Sequence, residues 1–94
     1  MKNAELTEAD LEQAAWFALR MRKGIRSPSL WRDVIKGAEA LLELAGATEK
    51  PKGDVALLAV AYLGARRCAR QLPPDAPERI ECEQLLDHLA SMIA

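Results

Sequence analysis

The residues of this 94-residue chain best suited to chemistry are one histidine, His88, and two cysteines, Cys68 and Cys82. On a helix His88 stands one turn from Gln84 and Met92 and two turns from Glu81. A metal site there would need His88, Glu81 and Cys82 to converge. Cys82 falls on the apolar side of that helix, however, and Glu81 and His88 on its flank. Cys68 and Cys82 fall on the apolar sides of successive helices, where a thiol ordinarily serves as a small hydrophobe; a redox pair is the functional alternative. The spacing suggests no Ser–His–Asp, Cys–His or paired-carboxylate arrangement, and the five glycines are scattered singly rather than gathered into a phosphate loop. These patterns support no enzyme, metal or cofactor.

Binding chemistry has more to offer. Arg20, Arg22, Lys23, Arg26, Arg32 and Lys36 fall within seventeen residues that contain a single acid, Asp33. In an up-down bundle the ends of the first and third helices share a pole, so Arg66, Arg67 and Arg70 would join them in a basic pole able to contact phosphates or an acidic protein. The plainer account is helix-dipole compensation, with Asp75, Glu78, Glu81 and Glu83 bringing acids to the same end. The link Gly24–Ser29 is longer than the turn of a helix-turn-helix. Trp16 is the other candidate. With Leu11 at the centre of the first helix's inward face, Trp16 lies off that face among Glu12, Arg20 and Lys23, and Phe17 lies on the opposite shoulder. Large aromatics flanked by arginine resemble interface anchors; the alternative is that Trp16 covers a bundle seam. Trp31 reads as core and Ile80 as pointing away from it.

The elements that must position these residues are four helices, at about 7–23, 28–45, 54–72 and 76–93. Thr7 and Asp10 form a variant capping box, and acids crowd the first helix's start while basic residues crowd its end. Ser27 caps the second helix with Pro28 in its first position, and Gly46 ends it. Leu30, Val34, Ala38, Leu41 and Ala45 form its apolar stripe, widened by Trp31, Ile35, Leu42 and Leu44. Ala47–Gly53 reads as an exposed loop. Asp54 is the expected cap of the third helix and Asp75 that of the fourth; Pro73 and Pro74 separate the two. Val55–Ala65 (VALLAVAYLGA) is uncharged, apolar in every direction and rich in small residues, which marks the third helix as central and most buried.

The totals agree with an all-α, compact four-helix bundle. Half the residues are hydrophobic, 29% are charged and only 4% are aromatic. Ala and Leu dominate, and no strand-like alternation or internal repeat occurs. The net charge of −1 argues against binding nucleic acid by bulk positive charge. The N-terminus MKNAELTEAD has no apolar signal region, no run is long enough to cross a bilayer, and a reduced cytoplasmic setting follows as the default. Ala61, Ala65, Ala69, Leu72 and Pro73, in AYLGARRCARQLP, resemble the second helix of a tetratricopeptide repeat. The resemblance covers about one helix, without the first helix's aromatic and glycine positions and without a second copy.

The expected function is therefore a small non-enzymatic protein-binding module, such as an adaptor, a chaperone-like factor or an inhibitor. Its expected contact surface is Trp16, Phe17, Arg20, Lys23 and Arg26, and its partner is another protein or a second copy in a homodimer. The alternative is a nucleic-acid-binding regulator using Arg20, Arg22, Lys23, Arg26, Arg66, Arg67 and Arg70.

Overall fold

The computed structural model describes residues 6–47 and 50–93. Four α-helices follow in order, α1 (Glu8–Gly24), α2 (Pro28–Leu44), α3 (Asp54–Gln71) and α4 (Pro77–Ser91), with no strand among the described residues. Local signals set most of their ends. The Thr7 hydroxyl accepts from the Asp10 N–H at 3.2 Å while Asp10 Oδ2 accepts from the Thr7 N–H at 2.8 Å, which satisfies two donors that helix geometry would leave free. Ser27 caps α2 by accepting from the Leu30 N–H, with Pro28 following in the first turn. Beyond α2 the chain turns at Gly46, whose φ of +74° favours glycine. There the Ala47 N–H reaches the Leu42 carbonyl and the Gly46 N–H that of Glu43, the paired bonds of a Schellman motif.

The starts of α3 and α4 differ from the sequence reading. Gly53 and Ala76 occupy the capping positions, and neither helix has a side-chain cap. Asp54 is drawn elsewhere: its carboxylate accepts from the Trp31 indole N–H at 2.7 Å. Asp75 lies one residue before the capping position.

α3 packs against all three other helices, as its sequence requires. Leu57, Leu58, Ala61, Gly64, Ala65 and Cys68 are buried along it, and they meet Ala18 and Met21 of α1, Val34, Ala38, Leu41 and Leu42 of α2, and Cys82 and Leu89 of α4 in one core. Gly64 is needed for the α2 approach, since a Cβ there would stand 2.9 Å from the Ala45 Cβ. Ile25, in the short link between α1 and α2, is also fully buried.

The direction of the helices corrects the expected topology. Asp10, at the start of α1, pairs with Arg70, at the end of α3, and Phe17 meets Tyr62 midway, with ring centroids 5.2 Å apart. α1 and α3 therefore run antiparallel. The Trp31–Asp54 bond joins the starts of α2 and α3, so those two run the same way. Leu44 and Asp54 therefore lie toward opposite poles, and Lys50 pairs with Glu39 of α2. α4 folds back on α3, with Arg79 Nη1 donating to the Leu72 carbonyl at 3.0 Å, and it ends with Ile93 against Gly24. One pole thus holds the ends of α1 and α4 with the starts of α2 and α3. The other holds the remaining four ends.

Candidate contact surface

The face of α1 turned toward α3 carries a charge. Asp10 is 5% exposed. A carboxylate so placed is stable only with hydrogen-bond donors and a cation around it. Both come to it: Arg70 donates through both terminal nitrogens, with Nη2–Oδ1 at 2.8 Å, and the Thr7 backbone donates to Oδ2. These partners, the arginine first, hold the Asp10 carboxyl well below the usual carboxylate range, and the same bond raises the Arg70 guanidinium. The face turned toward α3 is therefore Asp10, Ala14, Phe17, Ala18 and Met21, at helical spacing.

That rotation reverses one sequence expectation. Leu11 follows Asp10 and so points about 100° away from it around the helix. It is 52% exposed rather than central to the inward face. Leu19 is 54% and Trp16 60% exposed, with Ala15 open between them. Leu11, Ala15 and Leu19 recur every four residues, and Trp16 lies on their flank. Glu8 and Glu12 lie toward the start of this exposed face and Arg20, Arg22 and Lys23 toward its end, all open to solvent. The Arg20 guanidinium lies over the Trp16 ring, 5.1 Å from its centroid, and limits the indole's freedom without covering it. Ala9, Glu12, Gln13 and Trp16 line a shallow open depression beside the face.

Of the residues expected to form the contact, Trp16, Arg20 and Lys23 are brought together on this surface. Arg26 is exposed in the link after α1, at one end of it. Phe17 is not part of it: half-buried, it packs on Tyr62 in the seam between α1 and α3. Trp31 is half-buried rather than fully core, with its indole held by Asp54 and the Arg22 guanidinium 4.9 Å from its ring centroid. Ile80 is 39% exposed, on α4. Leu11 and Leu19 are the members of the face that the sequence reading missed. The signal was the pair of small residues Ala14 and Ala18, which fit a close helix contact better than leucines do.

The basic pole expected from the ends of the first and third helices does not form. α1 and α3 are antiparallel, so Arg66, Arg67 and Arg70 lie toward the pole opposite Arg20, Arg22, Lys23 and Arg26. Arg70 is committed to Asp10, and Arg66 lies over the Tyr62 ring at 5.5 Å.

The residues with chemical potential are placed as follows. Cys68 and Cys82 are free and buried, with Sγ atoms 3.7 Å apart. Burial first, then the neighbouring thiol, pushes the Cys82 thiol up to about 12, which keeps it a protonated core group at neutral pH. His88 is exposed beside Glu81, Gln84 and Leu85. Among the described residues no three His, Cys, Asp or Glu side chains are grouped to hold a metal ion, and no helix is long and apolar enough to cross a membrane. Comparison with protein-family models, with curated proteins and with solved structures finds no match.

Proposed function

We propose that this chain is a small, non-enzymatic protein-binding module that works through the outward face of α1. The carrying observation is that Leu11, Trp16 and Leu19 all lie off the face of α1 that packs on α3, spread over about 140° of the helix, and each is more than half exposed. Single exposed leucines are common on folded proteins, but three large apolar residues together, rimmed by charge, mark a contact surface. Trp16 under Arg20 supplies the rigid aromatic anchor such surfaces favour, and Arg20, Lys23 and Arg26 supply a charged border.

The test compares affinity capture by the native protein, with and without nuclease treatment, with capture by Trp16→Ala and Ile80→Ser variants after nuclease treatment. A protein retained by the native chain and by Ile80→Ser, but lost with Trp16→Ala, supports the reading. Retention by all three would place the contact elsewhere. Capture abolished by nuclease alone would return the role to nucleic-acid binding through Arg20, Arg22, Lys23 and Arg26.

A further inference from the structure

The partner that this face fits best can be read from its own symmetry. Glu8, Leu11, Ala15, Leu19 and Arg22 lie on one side of α1 with spacings of three, four, four and three residues. The series reads the same from either end, with acid exchanged for base. Ala15 is its midpoint: Leu11 and Leu19 stand four residues either side of it, about 12 Å apart, and Glu8 and Arg22 seven either side. On the flank, Trp16 lies near the same midpoint between Glu12 and the pair Arg20 and Lys23.

We infer that α1 pairs with α1 of a second copy, antiparallel, about a two-fold axis at Ala15. This rests on the reading of α1 as a contact face and names its occupant. A two-fold contact must be self-complementary, with residue i meeting j and j meeting i. Antiparallel pairing sets Leu11 against the partner's Leu19 and Glu8 against the partner's Arg22, whose guanidinium would turn from the Trp31 ring it lies over, each contact made twice. Ala15 meets the partner's Ala15, and its small side chain lets the helices approach closely where they cross. Trp16 follows Ala15 and so points about 100° away from it around the helix; it borders the seam rather than filling it, beside Glu12 and the partner's Arg20 and Lys23. A parallel pairing would set Glu8 on Glu8 and Arg22 on Arg22, so the charges select the antiparallel one. Steps of three and four residues keep all five on one side of the helix over about four turns.

The proposal is tested by the solution mass of charge-reversed chains. One variant carries Glu8→Lys with Glu12→Lys, the other Arg22→Glu with Lys23→Glu, and helicity is checked for both by circular dichroism. By sedimentation equilibrium the native chain is expected to be a dimer, and each variant alone to associate at least about tenfold more weakly. An equimolar mixture of the two is expected to recover a mixed dimer, because each acid then meets a base again, and that recovery also shows both variants folded. Leu11→Ala combined with Leu19→Ala is expected to weaken the native dimer about as much as either reversal or more, and Trp16→Ala, at the border of the seam, to weaken it less. A native chain that remains monomeric at every attainable concentration overturns the pairing, while Trp16-dependent capture of another protein would still stand. A dimer unaffected by the reversals and by the paired leucine substitutions overturns it as well, since its interface would lie elsewhere.

Discussion

α1 and α2 are equally long, 17 residues each, and they place their apolar residues in opposite ways. α2 turns Val34, Ala38, Leu41 and Leu42 into the core and half-buries Trp31, Ile35 and Leu44, leaving Leu30 at the edge. α1 buries Ala14, Ala18 and Met21 with one carboxylate, and leaves Leu11, Trp16 and Leu19 outside. The difference is one of orientation rather than composition. α2 is oriented by its apolar stripe, which coincides with its buried face. α1 turns Asp10 to Arg70, and Ala14, Phe17, Ala18 and Met21 to α3, and it leaves Leu11, Trp16 and Leu19 off that face. The proposal that α1 carries a contact surface grows from that contrast.

Three changes can break or sharpen the contrast. The largest effect is expected in α2: Leu41→Ala removes a fully buried side chain and should cost about 2–5 kcal/mol of unfolding free energy, read by denaturant titration. Next comes the tie between α1 and α3. The Asp10 pKa is lowered in the folded state, so the stability it contributes is complete above the unfolded value of about 3.9 and is lost as pH falls below that toward the folded value. Asp10→Asn should be less stable than the native chain at neutral pH, and its stability should fall less steeply with acid over that range. A parallel loss in both proteins would mean that Asp10 does not anchor α1. The smallest effect is expected from Leu19→Ala, which should change the stability of the monomer by about 0.5 kcal/mol or less while weakening association. A loss comparable to that of Leu41→Ala would make Leu19 a core residue and erase the difference between the helices.

Much of the fold was legible because it is written in short-range signals. Thr7 with Asp10, Ser27 with Pro28, and Gly46 each act within a turn of themselves, and the small, uncharged residues of α3 require cover on every side. The paths between helices were harder to read. The parallel run of α2 and α3, which separates the arginines of α1 from those of α3, has no local signature. The Asp10–Arg70 pair spans sixty residues, and nothing near Asp10 distinguishes a capping carboxylate from one that is also buried in an ion pair. Helical spacing puts Leu11, Ala14, Ala15, Ala18 and Met21 on one apolar face; Ala14, Ala18 and Met21 are buried, while Leu11 and Ala15, at one edge of that arc, are exposed. Trp16 was legible as a misfit because its arc also holds Glu12, Arg20 and Lys23. Phe17 was less so, since a shoulder residue is exposed or buried according to the neighbour, and Tyr62 is that neighbour.

The most direct test of the central claim is the fluorescence of Trp16 in a Trp31→Phe chain, where it is the only indole, followed as protein concentration rises. A contact surface on the outside of α1 is expected to give red-shifted, readily quenched emission at high dilution, with a blue shift and loss of quenching as the face is covered by a second copy. Blue-shifted, protected emission at every concentration would mean that Trp16 is covered by its own chain, and the claim would be wrong.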